Sequence, residues 1–276
     1  MITESPTVRL YLESRPETLT LVRGMLGGVA DQLAIDPELL DDLKTAVSEA
    51  CNNVVMHAYG GQPGPMGVLL YVCPDAIQVT VEDSGQGIPS QLPAEPGVGL
   101  PVIQALADEA EFRRRPEGGT EVQMAFAAER DGRVLFSGAG AAGPDDGWPD
   151  RASGEVVVSL SPVVLLSGVL GRLARALAAS AHFSLDRFSD VYLVTDALAA
   201  HAVAAASGSR VGCRLSANDR RLKITLGPFR AGSSARFIAD TPDAAAAPLR
   251  LLSDEVSVES NGEGELLHVV LVDHRR

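Results

Sequence analysis

Between Leu39 and Val54 an apolar residue returns every three or four positions, at Leu39, Leu43, Ala46, Val47, Ala50 and Val54. Only an α-helix with one buried face gathers such side chains, so the rest of the chain must supply a core for it to cover. Asp36 and Pro37 stand directly before the stripe. A side-chain acceptor followed by a residue with no N–H to leave unpaired is a helix start. On the opposite face Thr45, Glu49, Asn53 and His57 lie four residues apart, which puts a carboxylate, a carboxamide and an imidazole in one line. Taken alone, that line is equally well a solvated helix face.

Two further stretches narrow the choice. Ala76 to Glu82 alternates apolar and polar residues as a half-buried strand does, and runs into Asp83-Ser84-Gly85-Gln86-Gly87-Ile88. An acid at a strand end followed by alternate glycines lets a backbone approach a flat ligand while the carboxylate accepts from its edge. Then Gly97-Val98-Gly99-Leu100 opens an apolar helical segment with Leu100, Ile103, Leu106 and Ala107. Free N–H groups at such a helix start are where phosphates bind. Each piece is weak by itself, since Asp-x-Gly-x-Gly also describes many tight turns. Together, in this order, they are specific.

In that order the pieces resemble the GHKL (Bergerat-fold) ATPases, the superfamily of gyrase-type topoisomerases, histidine kinases and anti-sigma-factor kinases. Glu49 to Asn53 is similar to the N box, Asp83-x-Gly85-x-Gly87 to the G1 box and Gly97-x-Gly99-Leu100 to the G2 box. Gly118-Gly119-Thr120 resembles the closing glycine–threonine element. The run from Ser48 to Asn53, with His57 and Tyr59, is most similar to the small bacterial anti-sigma-factor serine kinases. The likeness spans roughly the first half of the chain.

The resemblance implies a set of roles. Asp83 would accept from the adenine amino group and so select ATP over GTP. Gly85 and Gly87 would let the backbone lie against the nucleotide. Asn53 would offer its amide oxygen to Mg²⁺, Gly97 and Gly99 would hold phosphate ahead of Leu100, and Thr120 would help close the site. Glu49, one helical turn from Asn53, would be the general base. In the family such domains bind a sigma factor and phosphorylate a serine of a STAS-type antagonist, commonly as homodimers. One departure is the short stretch Pro89 to Pro96 between Ile88 and Gly97, where the kinases carry a longer lid. A trimmed lid favours loose binding and slow transfer, and with it a second reading: a nucleotide-responsive partner-binding switch without significant catalysis. A histidine-kinase lobe needs a phosphoacceptor histidine ahead of the N box, and residues 1–38 contain none.

Composition sets the outer limits. The net charge of -13 argues against binding nucleic acid through its backbone, which requires a basic footprint. Arg113-Arg114-Arg115 is the one tight basic run and reads as a solvated strand end. Cys51, Cys73 and Cys213 are too far apart for a zinc site and read as core filling in a reducing cytoplasm. The first ten residues carry no apolar run of a signal peptide, and the apolar window from Val156 to Leu170 is too short to span a bilayer, so no membrane segment is expected.

The remaining elements complete an α+β plan. Val8 to Leu12 reads as a strand, Ser14 and Glu17 as a capping box, and Leu19 to Leu33 as a helix. Val68 to Cys73 and Ala76 to Glu82 form a hairpin over Pro74-Asp75, and Phe112 with Thr120 to Ala127 finishes the sheet. Helices on one face of a mostly antiparallel sheet give an α/β sandwich with the other face open or covered by a partner. A Gly/Ala/Pro-rich linker, 133–154, holding Trp148, follows the first domain, 1–132. Residues 155–276 repeat the first domain at offsets of 145 to 147, with Val194-Thr195-Asp196-Ala197 beside Val47-Ser48-Glu49-Ala50 and Ile224-Thr225-Leu226 beside Val79-Thr80-Val81. Ala200 stands for Asn53, Pro228 for Asp83 and Ala244 to Ala247 for the Gly97 turn. Two tandem Bergerat sandwiches are expected, the second a degenerate copy without nucleotide, and the whole an intramolecular pseudo-dimer. His201 reads as a packed or surface histidine.

Overall fold

The computed structural model describes residues 5–86, 99–130, 133–134, 154–239, 247–261 and 264–274. Gly87, Gly97, the Pro89 to Pro96 stretch, Trp148 and most of the linker lie outside them. The chain begins with strand β1 (Val8–Glu13), helix α1 (Thr18–Leu33) and helix α2 (Pro37–Asn53), which passes into a π-helical turn, Val54–Ala58. Strands β2 (Pro65–Val72) and β3 (Ala76–Asp83), helix α3 (Gly99–Leu106), and strands β4 (Glu109–Arg114) and β5 (Thr120–Ala127) follow. A small separate hairpin joins β6 (Glu129–Arg130) to β7 (Arg133–Val134).

The second half has β8 (Val156–Leu160), α4 (Leu166–Ser180), α5 (Leu185–Ala205), β9 (Val211–Asn218) and β10 (Arg221–Phe229). Two short helices, α6 (Ser233–Ile238) and α7 (Ala247–Leu252), precede β11 (Glu255–Asn261) and β12 (Gly264–Val272). Among the described residues all the main strands join one antiparallel ten-stranded sheet, in the order β11-β12-β10-β9-β8-β1-β2-β3-β5-β4. Where two tandem sandwiches were expected, β1 pairs with β8 as well as with β2, so one sheet is continuous across the middle of the chain.

Read outward from the β1–β8 pair, the strands come in the same sequence on both sides. The register matches too. Val79 pairs with Leu70 and Met124, while Ile224, 145 positions later, pairs with Leu215 and Val269, each also 145 later. Local hydrogen bonds recur in the same way. Asp108 accepts from the Ala127 N–H and Asp254 from the Val272 N–H, at 2.8 and 2.7 Å.

Alternation along the strands places the core. Val8, Leu10, Leu12, Val68, Leu70, Val79 and Val81 are buried, and so are Cys213, Leu215, Ile224, Leu226, Val269 and Leu271. One apolar cluster runs through both halves under the helices. The helices α1 and α4 cross over the β1–β8 seam so closely that Gly28 and Gly168 lie backbone to backbone. Buried Arg210 ties the halves further, donating to the Pro6 carbonyl and the Ser159 hydroxyl.

Several local expectations change. The Asp36 cap is present, accepting from the Glu38 N–H at 2.9 Å. The capping box at Ser14 is not: the Ser14 hydroxyl accepts from the Gly64 N–H, and Thr18 donates to the Arg15 carbonyl instead. The Ser14 side chain is therefore spent on tying β1 to the loop before β2. Helix α2 stops being α-helical after Asn53, which ends the four-residue register that would align His57 with Asn53. Cys51 and Cys213 are core, whereas Cys73 is only partly covered beside the β2–β3 turn. Residues Val163–Ser180 are long and apolar enough by composition to cross a membrane, and 44% of that stretch is buried inside the protein. It packs against α1 and α5.

Candidate functional site

The site is assembled where α2 ends. Glu49 and Asn53 occupy successive turns of that helix, both half-buried. Gly99, the first residue of α3, sits directly against them: a Cβ there would lie 3.1 Å from Glu49 Oε2 and 3.3 Å from Asn53 Oδ1. The start of α3, with the N–H groups its first turn leaves unpaired, therefore abuts the carboxylate and the carboxamide. Leu100, next along α3, is half-buried, and Ile103 fixes the helix by its burial in the core.

Asp83 ends β3, and the antiparallel pairing that sets Glu82 opposite Glu121 brings Asp83 beside Thr120. The carboxylate is buried. Its Oδ1 accepts from the Gly85 N–H at 2.7 Å and its Oδ2 from the Thr120 N–H at 3.2 Å. A carboxylate has about four acceptor positions, so two bonds leave capacity for a ligand donor. Burial raises the Asp83 pKa above 3.8, against the bonds from Gly85 and Thr120 and the nearby Arg115 charge, which oppose the rise.

The turn after Asp83 is pressed between two neighbours. A Cβ on Gly85 would stand 2.2 Å from the Ala58 carbonyl oxygen, and one on Gly119 2.1 Å from the Asp83 carbonyl. Gly119 also has a φ of 90°, a region that side chains disfavour. These glycines are where the π-turn, the Asp83 turn and the turn before β5 meet backbone to backbone. Gln86 N–H donates to the Ala58 carbonyl at 2.9 Å, closing that contact. The π-turn thus delivers the end of the Asn53 helix to the Asp83 turn, a role in keeping with how such turns cluster at functional sites.

Of the residues marked in the sequence, the structure gathers Glu49, Asn53 and Gly99 in one contact and Asp83, Gly85 and Thr120 in another, joined through Ala58. His57 is exposed beyond them. Two residues carry more than the sequence indicated. Arg115 is not a solvated strand end: its side chain is 21% exposed and lies 3.4 Å from Glu82, 2.8 Å from Glu117 and 3.4 Å from the Asp83 carbonyl. A run of three arginines gives no sign of which one turns inward. Tyr59 donates to the Pro65 carbonyl and accepts from the Ser84 N–H, a contact only the folded hairpin creates.

The equivalent place in the second half is filled by the protein itself. Pro228 supplies no carboxylate there. Glu265, on β12 and buried, instead accepts from the Gly232 and Ser234 N–H groups at 2.6 and 2.8 Å. His201 is packed, stacked on Phe237 at 4.1 Å and edge-on to Phe229 at 4.8 Å, with its Nε2 3.1 Å from the Ser234 hydroxyl.

Comparison with known proteins gives this geometry a context. Residues 12–126 match the model of the histidine kinase-like ATPase domain. A serine-protein kinase RsbW from Bacillus pumilus is 35% identical over 126 residues, covering 38% of this chain and 77% of that protein. The chain belongs to the histidine kinase-like ATPase family. An anti-sigma F factor from Caldanaerobacter subterraneus is 32% identical over 129 residues, or 42% of this chain and 90% of that protein. A crystal structure of RsbU and RsbW domains from Mycobacterium tuberculosis aligns at 21% identity and a TM-score of 0.35, over 48% of this chain and 33% of that one.

Membership of this ATPase family implies ATP as ligand. Among the described residues no group of three or more His, Cys, Asp or Glu could hold a metal ion. The Asn53 amide oxygen beside the start of α3 fits Mg²⁺ of the kind that takes one or two protein oxygens and fills its octahedron with phosphate and water.

Proposed function

We propose that this chain is an ATP-dependent regulator of the anti-sigma type, a serine kinase that phosphorylates a STAS-domain antagonist and binds a sigma factor. The observation that carries the reading is Asp83, a buried carboxylate held by two backbone N–H groups at the end of β3, with acceptor capacity left for an adenine amino group. The similarity to a serine-protein kinase and to an anti-sigma F factor supports serine phosphorylation and a sigma-factor partner. ATP, when bound, supplies the phosphoryl group.

The chain's own residues would divide the work. Asp83 would select adenine, because guanine presents a carbonyl oxygen where adenine presents an amino group. Gly85 and Gly87 would let the backbone lie against the nucleotide. Gly97 and Gly99 with the first turn of α3 would meet phosphate charge, and Asn53 would hold Mg²⁺. Glu49 would take the proton from the substrate serine hydroxyl. Thr120 fixes the Asp83 carboxylate from the adjoining strand.

The second half, residues 155–276, is proposed as a degenerate repeat that serves as the built-in partner of the first. The mirrored strand order, the constant register offset and the β1–β8 pairing support this. With Glu265 and the His201–Phe237 stack where the first half has its site, one nucleotide per chain is expected.

The short Pro89 to Pro96 stretch keeps a second reading in play, a nucleotide-responsive binding switch without significant catalysis. One incubation separates the two. Labelled ATP, Mg²⁺ and a candidate STAS protein are mixed with wild type and Glu49→Gln. Label on the STAS serine that Glu49→Gln abolishes supports the kinase. Nucleotide binding with no transfer to any STAS partner supports the switch.

A further inference from the structure

Tyr59 follows the π-turn, and its ring and its hydroxyl do different things. The ring lies over Gly64, where a Cβ would be 2.5 Å from it, so the loop before β2 is shaped to receive an aromatic face. The hydroxyl reaches between two strands. It donates to the Pro65 carbonyl at the start of β2, at 2.5 Å, and accepts from the Ser84 N–H just past the end of β3, at 2.8 Å. Ser84 stands between Asp83 and Gly85, the two residues joined by the Asp83 Oδ1 bond. On the same side Gln86 N–H is held by the Ala58 carbonyl. On the other side the turn meets Gly119 and the Arg115 guanidinium.

We infer that Tyr59 is a positioning residue for the nucleotide site: its hydroxyl pins the Ser84 amide, and with it the orientation of the Asp83 carboxylate toward the purine edge. The inference rests on the ATP reading above, and it extends that reading from the residues that would touch nucleotide to one that does not. The physical reason lies in residues 84–86: Ser84 and Gln86 are exposed and Gly85 has no side chain. Little side-chain packing holds such a segment, and its conformation is set by where its N–H groups find acceptors. Ala58 and Tyr59 are adjacent in sequence and take the Gln86 and Ser84 amides, so the end of the Asn53 helix sets the Asp83 turn at two points. A change at Tyr59 therefore alters affinity for the whole nucleotide class that shares an adenine, and not the placement of Asn53 or Glu49, six and ten residues earlier.

The test uses the full chain with Tyr59→Phe, which retains the ring over Gly64 and removes only the hydroxyl. Calorimetric titrations of Mg-ATP and ADP are run on both proteins, together with hydrogen exchange at the Ser84 amide. The loss of one neutral hydrogen bond predicts about a two- to tenfold rise in Kd, equal for ATP and ADP, with faster Ser84 exchange. If a STAS substrate is in hand, KM for ATP rises while kcat holds. Wild type that binds Mg-ATP, with a variant of unchanged Kd, overturns the role of Tyr59 and leaves the ATP reading standing. Unchanged Ser84 exchange overturns it as well. Wild type that binds no adenine nucleotide overturns the function proposed for the site, and this inference with it.

Discussion

Gly28 and Gly168 touch through their backbones where α1 crosses α4: a Cβ on Gly28 would lie 2.3 Å from the Gly168 carbonyl oxygen, and one on Gly168 2.1 Å from that of Gly28. Neither carbonyl belongs to a flexible group, so an added methyl forces the helices apart. Gly28→Ala is expected to lower unfolding free energy by about 1–3 kcal/mol, the usual range for overpacking. Asp31→Ala, which removes the exposed 2.7 Å pair with Arg172 close by, is expected to cost less than about 1 kcal/mol. Denaturant melts of the two variants check the contrast. Equal losses would mean that the crossing is not tightly packed.

Asp83 connects the site to pH. Its carboxyl titrates above 3.8 because burial outweighs the Gly85 and Thr120 bonds and the Arg115 charge. The protonated form has lost acceptor capacity. Mg-ATP affinity should be level around neutral pH and fall as pH drops through that raised value, before an ordinary carboxylate would protonate. Asp83→Asn, whose amide nitrogen cannot accept, should weaken binding by about 1.5–3 kcal/mol, ten- to hundredfold in Kd, and flatten the profile. A wild-type profile as flat as the mutant's would remove Asp83 from the binding role.

Arg115 acts on the same carboxyl from the next turn. Replacing it with Met keeps the apolar stem and takes away the charge beside the Asp83 carbonyl and Glu82. The pH at which ATP binding fades should then move upward, since one of the influences that lower the Asp83 pKa is gone. Thermal stability should change by less than about 1 kcal/mol, because the pairs are partly solvated. Titrations at two pH values are sufficient to see it.

Glu265 carries an acid dependence of stability. Burial works to raise its pKa, but the Ser234, Gly232 and Ala235 N–H groups and the Ser234 hydroxyl outweigh it and hold the carboxyl below 4.5. A depressed carboxyl stabilises the fold fully above the unfolded value and stops doing so as pH falls through the folded one. Wild type should therefore lose stability on the acid side of 4.5 in a step that Glu265→Gln lacks. Glu265→Ala takes this acceptor away from the Gly232, Ser234 and Ala235 N–H groups and should cost about 1–3 kcal/mol at neutral pH. Chemical denaturation from pH 3 to 7, taken as roughly the range over which carboxyls titrate, reads both effects.

Light scattering checks the built-in pairing. With β1 already matched to β8, the full chain is expected to run as a monomer. A tight homodimer formed through residues 155–276 would contradict the pseudo-dimer reading.

Much of the first half was legible because its signals are local. The Asp36 cap, the period of α2, the alternation in β3 and the Gly85 turn after Asp83 depend on neighbours within a turn or a strand, and the structure contains each of them. Ser14 shows the limit of that reasoning. Its spacing to Glu17 suits a capping box, yet Gly64, fifty residues away, offers its N–H first. Arg115 shows it again, because three consecutive arginines are alike until β4 and β5 pair and one of them faces Asp83.

Local pattern was enough for β1, α1, α2, the β2–β3 hairpin, α3 and β5, for the family, and for the residues that resemble its ATP site. Long-range contacts were needed to pair β1 with β8 in one sheet of ten strands, to end the Asn53 helix in a π-turn, and to set Tyr59 and Arg115 against the Asp83 turn. The division has a physical cause. Periodicity and capping are settled by bonds between residues near in sequence, whereas an edge strand's N–H and C=O groups, like the hydroxyl of Tyr59, bond to whichever acceptors and donors the fold brings within reach.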